Sequence, residues 1–287
     1  MRESINYDSP SALRAFLDAE GLGARKQFGQ NFLIRREIRT RLLDALGFEW
    51  GDAVWEIGPG LGAMTAPLLE RGAHVTAFEI DAGFCRILRG LFGERLTLIE
   101  GDVLATWRDT DAAPYLLGNL PYNIGAHLIA GFIEQGRFFK RMVITIQREV
   151  AQRMSARPHT KDYSSFSVLC ASAYTVTPLM ILKGACFYPA PHVDSQAVRL
   201  DLRPDRPRCP ALFYPLIRAL FSSRRKTVKH NLRDFMAQHT SDVARLTDAA
   251  LVHCNIDAGA RAENLAPDDF TALAIWLTDA MHDRCVV

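Results

Sequence analysis

The segment Glu56-Ile57-Gly58-Pro59-Gly60-Leu61-Gly62 constrains the fold more than any other stretch of this chain. It sets glycines at alternate positions between an apolar run, Ala53 to Ile57, and a stretch of helical spacing, Met64 to Glu70. Glycine reaches backbone conformations closed to other residues and has no Cβ, so a strand, turn and helix built this way can bend sharply and approach a ligand closely. The alternation continues downstream. Further strands are expected at His74 to Ile80, Leu96 to Glu100, Tyr115 to Leu117, Met142 to Ile146, Pro178 to Leu182 and Ala197 to Leu202. Helices are expected at Ala82 to Leu91, His127 to Glu134 and Glu149 to Met154. Short apolar runs alternating with helical segments predict an α/β domain whose mainly parallel sheet carries helices on both faces.

Between Arg203 and Pro210, three prolines fall within seven residues, which disfavours both a helix and a central strand. Beyond that point apolar residues recur at helical spacing, as in Leu212, Leu216, Ile217 and Leu220, and no internal repeat is present. The expected organisation is an α/β domain over residues 1–205 and a smaller helical domain over residues 206–287.

The glycine loop alone is compatible with any nucleotide cofactor, including a nicotinamide, because Gly58, Gly60 and Ala63 also satisfy the looser dinucleotide pattern. Two carboxylates narrow the choice. Glu79 closes the second strand, where it can accept hydrogen bonds from both hydroxyls of a ribose. Asp102 ends the third, where it can accept from an adenine amine. Either one could instead cap a helix. Their placement on successive strand ends favours a ribose- and adenine-containing ligand.

Gly118-Asn119-Leu120-Pro121-Tyr122-Asn123-Ile124 follows the fourth strand and suits methylation of an amine conjugated to an aromatic ring. The lone pair of such an amine is delocalised, so a catalyst must favour a pyramidal nitrogen by accepting hydrogen bonds from both N–H groups. The side-chain carbonyl of Asn119 and the backbone carbonyl of Leu120 can do this where charge develops. Pro121 stiffens the turn, and Tyr122 offers a face for a base drawn out of its stack. In Phe187-Tyr188-Pro189-Ala190-Pro191-His192-Val193-Asp194-Ser195 the prolines stiffen a loop that could set Phe187 opposite Tyr122 as the second face of a sandwich. A core position for Phe187 is the other reading.

A net charge of +2 is too small to imply a polyanionic partner by itself, so the distribution of basic residues matters. Arg25, Lys26, Arg35, Arg36, Arg39 and Arg41 cluster early, and Arg218, Arg224, Arg225, Lys226, Lys229 and Arg233 cluster late. Each cluster is either a solvated helix face or a nucleic-acid contact. The six cysteines include no Cys-x-x-Cys pair, which argues against zinc or redox spacing and for reduced thiols, and no metal site is expected. No apolar run approaches the ~20 residues of a membrane span, and the first residues lack the apolar core of a secretory signal, so a cytoplasmic address is expected. The signatures G-x-S-x-G and H-E-x-x-H, of hydrolases and metalloproteases, are absent.

Taken together, these segments resemble the KsgA (RsmA) family of ribosomal RNA adenine dimethyltransferases from Arg25 to about Leu265. The likeness covers Lys26-Gln27-Phe28-Gly29-Gln30-Asn31-Phe32-Leu33, the glycine loop, Asn119 to Tyr122 and Phe187 to Ser195. It continues in Arg224-Arg225-Lys226-Thr227 and Arg261-Ala262-Glu263-Asn264-Leu265. The resemblance implies a Rossmann-like S-adenosylmethionine-dependent methyltransferase domain followed by a helical RNA-binding domain. It implies transfer of two methyl groups to each of two adjacent adenines near the 3′ end of small-subunit (16S) ribosomal RNA, on a late assembly particle, by a monomer. Asn31, Leu33, Gly58, Glu79, Asp102 and Asn119 would hold S-adenosyl-L-methionine; Asn119 to Tyr122 and Phe187 would serve catalysis. Arg224, Arg225, Lys226 and Lys229 would contact RNA phosphates.

Two segments depart from the family pattern: Tyr163-Ser164-Ser165-Phe166-Ser167-Val168, where the family often carries Gly-Arg, and Gly125-Ala126, where Ser or Thr often follows Asn-Ile. An Erm-type enzyme acting on large-subunit RNA shares the catalytic motif, but the two C-terminal segments fit the KsgA pattern better. A non-catalytic RNA-binding assembly factor is the remaining alternative, disfavoured by intact Asn119 and Glu79. A DNA adenine methyltransferase would generally carry Asp or Ser at the position of Asn119.

Overall fold

The computed structural model describes residues 5–22 and 31–282. The Lys26 to Gln30 part of the N-terminal motif, with Arg25, lies outside the described residues.

In chain order the first elements are α1 (Pro10–Ala19), β1 (Phe32–Leu33), α2 (Arg36–Leu46), β2 (Ala53–Ile57), α3 (Thr65–Glu70), β3 (His74–Glu79), α4 (Ala82–Phe92) and β4 (Leu96–Glu100). Then come α5 (Val103–Thr106), β5 (Tyr115–Asn119), α6 (Gly125–Glu134), β6 (Arg141–Gln147), α7 (Arg148–Met154) and α8 (Ser165–Ala173). They are followed by β7 (Tyr174–Leu182), β8 (Phe187–Tyr188), β9 (Ser195–Leu202), α9 (Phe213–Leu220), α10 (Val228–Met236), α11 (Val243–His253) and α12 (Pro267–His282). The chain divides into two compact units, Met1–Ala151 with Thr177–Asp201, and Gln152–Val176 with Leu202–Val287.

The sheet has seven strands in the order β4-β3-β2-β5-β6-β9-β7. Strands β2 to β6 run parallel, and β9 pairs antiparallel with β6. The chain enters the sheet at β2, adds β3 and β4 on one side, and then crosses to lay β5 on the other. This reversal opens a crevice at the carboxyl ends of the strands, where sheets of this kind bind ligands. Burial on both faces explains why β2, β5 and β6 read as continuous apolar runs rather than alternating ones. Where such strands carry buried polar residues, they do so at the carboxyl edge: Glu56, Glu79 and Thr145 are all buried.

Local chemistry fixes the flanking helices. Asp81 caps α4 by accepting from the backbone N–H groups of Gly83 at 2.8 Å and Phe84 at 3.3 Å. The apolar face of α4, with Phe84, Cys85, Ile87 and Leu88, is then buried. Helix α2 stops at Gly47, whose left-handed backbone (φ 59°) is the usual helix terminus for glycine. Under the sheet, the Trp55 ring meets Phe78 and Phe139 edge-on, with centroids 4.8 and 5.3 Å apart.

Every expected strand forms, β2 and β4 with the expected bounds and the others with shifted ends. The change that matters is in β5, which continues through Asn119 and pairs that residue with Thr145 of β6. Asn119 is therefore held on a strand rather than in the turn that follows it.

The second unit gathers α8 to α12. Tyr163 donates its hydroxyl hydrogen bond to the Leu265 carbonyl at 3.0 Å, and the His159 N–H donates to the Glu263 carbonyl at 2.8 Å. Ser164 N–H donates to Ser167 Oγ at 3.0 Å where α8 begins. The departing segment Tyr163 to Val168 thus has a structural use, closing on the Arg261 to Leu265 motif. The unit crossing at 201/202 lies close to the expected boundary after 205, while residues 152–176, expected in the first domain, cluster with the helices.

Candidate functional site

At the carboxyl end of β2 the chain turns through Gly58 (φ 71°) and Gly60 (φ 57°), left-handed conformations that strain any other residue. The space adds a lesser constraint. A Cβ at Gly60 would sit 3.1 Å from the Phe32 ring, and one at Gly58 would sit 3.4 Å from the Asn119 carbonyl. The loop is pinned by the Gly58 N–H donating to the Phe78 carbonyl at 3.0 Å and by the Tyr7 hydroxyl donating to the Leu61 carbonyl at 2.9 Å.

Above the loop lies a cavity of about 210 Å³, walled by all six expected cofactor residues: Asn31, Leu33, Gly58, Glu79, Asp102 and Asn119. Pro121 and Asn123 complete the wall on the side of the catalytic turn. Glu79 accepts from the Gly60 N–H at Oε2 and from the Asp81 N–H at Oε1, both at 3.0 Å. These bonds aim the carboxylate at the loop and leave it with capacity for a further donor. Asp102 caps a helix and stands at the cavity as well. It caps α5 by accepting from the Leu104 N–H at 2.9 Å through Oδ1, and it also faces the cavity.

Nothing in the sequence singles out Glu56, although it opens the glycine segment. It lines the same cavity, is 3% exposed, and accepts from Thr65 Oγ1 at 2.7 Å. Burial pushes its carboxyl from 4.5 up to about 8, opposed by the Thr65 hydrogen bond and reinforced by Glu79. Burial raises Glu79 as well, against its backbone hydrogen bonds.

The catalytic turn is set from a distance. Asn119 Nδ2 donates one N–H to the Asn31 carbonyl at 2.8 Å, which orients the amide and leaves Oδ1 as an acceptor. Asn31 is carried there by β1, which pairs with β8 through Phe32↔Tyr188 and Leu33↔Phe187 and is extended by the Ile34 N–H donating to the Cys186 carbonyl at 2.9 Å. Leu120 donates its N–H to the Thr145 carbonyl at 3.0 Å, and its side chain is buried. Leu120 and Tyr122 stand outside the cavity wall. The Tyr122 hydroxyl meets Ser195 Oγ at 2.6 Å.

Phe187, expected as the second face of a base sandwich with Tyr122, does not stand exposed in its loop. Phe187 is 3% exposed and belongs to the core with Leu33, Leu182 and Ala197. A large aromatic loses more by facing water than it gains at a rim, and the β1–β8 pairing draws this one inward.

The basic cluster also divides. Arg224 donates to the Lys161 carbonyl at 2.9 Å and to Glu263 Oε2 at 3.0 Å, and Lys229 pairs with Asp248 at 2.8 Å. Arg225 and Lys226 are exposed, and their side chains have no ion-pair partner among the described residues. Of the four, these two are free to meet phosphate. No group of three or more His, Cys, Asp or Glu suited to a metal occurs among the described residues, and no described helix is long and apolar enough to cross a membrane.

A doubly wound sheet with a glycine cradle in left-handed backbone, two carboxylates and an oriented amide at one edge defines a Rossmann-like methyltransferase fold and site, and the cradle fits a nucleoside cofactor. Comparison with known proteins gives the family. Residues 21–279 match the family model described as ribosomal RNA adenine dimethylase, and the chain belongs to that family. It is 46% identical over 274 residues to ribosomal RNA small subunit methyltransferase A of Treponema pallidum, covering 94% of this chain and 96% of the relative. Among solved structures it is similar to a dimethyladenosine transferase from Plasmodium falciparum, with TM-score 0.74 and 25% identity over 85% of this chain and 96% of that one. The 23S rRNA methyltransferase ErmE shares the fold, with TM-score 0.64 and 22% identity over 86% of this chain and 100% of that one. The chain is thus an rRNA adenine dimethyltransferase that uses S-adenosyl-L-methionine.

The raised Glu56 carboxyl has a measurable consequence. A carboxyl titrating higher in the folded than in the unfolded chain stabilises the fold below its unfolded value and loses that contribution as pH rises towards the folded one. Glu56→Gln removes the titration, so its stability relative to the parent is expected to rise between pH 5 and 8 in urea unfolding. A difference independent of pH would contradict the assignment.

Proposed function

We propose that this enzyme dimethylates the exocyclic amines of two adjacent adenines near the 3′ end of small-subunit ribosomal RNA, on a late assembly particle in the cytoplasm, acting as a monomer. The observation that carries the reading is the orientation of Asn119, fixed by its amide nitrogen donating to the Asn31 carbonyl at 2.8 Å. Its carbonyl is left to accept from an adenine amine. The Leu120 carbonyl takes the second N–H, and acceptance at both favours the pyramidal nitrogen that attack requires.

S-adenosyl-L-methionine, when bound, supplies an electrophilic methyl group. Glu79 would hold its ribose and Asp102 its adenine amine, with Asn31, Leu33 and Gly58 forming the rest of the wall. Tyr122 would take the target base on its ring face, a contact worth about 1–3 kcal/mol per base. Phe187 serves this scheme from within the core, since its pairing with Leu33 keeps β1, and so Asn31, in place. Arg225 and Lys226 supply the phosphate contacts. The small subunit is favoured over the large one because the relative at 46% identity is named a small-subunit methyltransferase.

Undermethylated small-subunit particles incubated with the protein and cofactor are expected to yield dimethyladenosine, read by mass spectrometry of digested RNA. In the same assay Asn119→Ala lowers turnover by about 10²–10³-fold, the usual effect of losing one such oriented group, with cofactor affinity nearly unchanged. Unmodified adenine, or product only on large-subunit RNA, overturns the reading.

Replacing Arg225 and Lys226 together with Ala should weaken particle binding and reduce the slope of log affinity against log salt by up to about 0.7–0.9 for each phosphate no longer neutralised. Lys229→Ala, already committed to Asp248, should change it less. An unaltered slope in the double variant would return these residues to a solvated surface.

A further inference from the structure

Tyr122 carries a hydroxyl that stacking does not need, since a phenylalanine offers the same ring face. Its hydroxyl lies 2.6 Å from Ser195 Oγ. Ser195 is 0% exposed and opens β9, where it pairs with Gln147 across the β6–β9 ladder. Its neighbour Asp194 is fixed as well: its carbonyl accepts from the Arg148 N–H at 3.0 Å, and its carboxylate pairs with Lys183 at 2.6 Å. The Ser195 hydroxyl is therefore a fixed point set by the sheet.

Tyr122 is only half-buried and sits in the turn after β5. Without a partner for its hydroxyl, the ring would be free to turn about two side-chain torsions. A hydrogen bond at its far end removes that freedom before any base arrives. Burial raises the Tyr122 phenol, so the group keeps its proton at neutral pH and acts as a hydrogen-bonding tether.

We propose that Ser195 is a positioning residue for the methyl-transfer reaction: by holding the Tyr122 hydroxyl it fixes the ring face on which the target adenine lies. This rests on the adenine methyltransferase reading above for its consequence in turnover, but not for the tether itself. Holding the ring in advance lowers the ordering cost of each encounter with the base, as preorganisation does elsewhere. The cofactor cavity, whose wall includes neither Tyr122 nor Ser195, should be indifferent to the tether.

The test is a double-mutant cycle on Tyr122→Phe and Ser195→Ala, with dimethyladenosine formation on undermethylated particles and cofactor binding by calorimetry as readouts. Each single variant is expected to lose about fivefold in turnover, the effect of one neutral hydrogen bond, with cofactor affinity unchanged. Ser195→Ala added to Tyr122→Phe should cost nothing more, because the partner hydroxyl is already gone. Multiplying losses, or full turnover in Ser195→Ala, would overturn the proposal, and so would an equal loss of cofactor affinity. A crystal structure of Ser195→Ala supplies a readout independent of activity, expected to show the Tyr122 ring in more than one orientation. A single unchanged ring position overturns the proposal even if the protein methylates no adenine, an outcome that would instead sink the functional reading.

Discussion

Burial of the central strands on both faces is the constraint from which the site follows. A parallel sheet covered by helices leaves no solvated face for polar side chains, so polar residues gather where the strands end. In this chain Glu56, Glu79, Asn119 and Thr145 stand at the carboxyl ends of four neighbouring strands. The crossing of the chain from β4 to β5 opens the crevice at the same edge, so the topology and the placement of acceptors have one cause. The glycine loop then brings the backbone close enough for a ligand to touch main chain and carboxylate together.

The edge alone does not orient the catalytic amide. That depends on a tie between distant segments, in which β1 and β8 pair over two residues each and bring the Asn31 carbonyl to Asn119. The core side of Phe187 belongs to this tie. An aromatic expected as a face for the base lies in the core beside the strand that carries Asn31, and Tyr122, in the turn after β5, meets Ser195 at the start of β9. Two hydrogen bonds that span 88 and 73 residues of sequence thus hold the two side chains to which the proposed reaction assigns the target amine and its base.

The strands, the glycine cradle and the catalytic tetrapeptide were legible because each has a local signature: apolar runs, alternating glycines, and a turn whose residue types match one chemistry. Glu79 and Asp102 could be placed in the cavity wall because strand ends and family likeness both point there, and Asn31 and Leu33 through family likeness alone. Phe187 was legible as a motif and not as a position, since sequence cannot say whether a loop aromatic faces in or out. The pairing of β1 with β8 is too short to leave a periodic signal, and the partners of Arg224 and Lys229 lie far away in sequence, so the split within the basic cluster required the fold. Glu56 escaped notice because a carboxylate beside a glycine loop looks like any other until its burial is known. The grouping of residues 152–176 with the helices was hidden for a similar reason: its ties to Glu263 and Leu265 are nonlocal.

The central claim is that one sheet edge holds the cofactor's nucleoside while leaving the Asn119 carbonyl as acceptor for the amine. A crystal structure with S-adenosylhomocysteine tests it most directly. The account predicts ribose hydroxyls on Glu79, the adenine amine on Asp102, and the Asn119 amide still donating to the Asn31 carbonyl with Oδ1 facing the sulfur end of the ligand. A nucleoside bound away from Glu79 and Asp102, or an Asn119 amide turned so that its nitrogen faces the ligand, would contradict it.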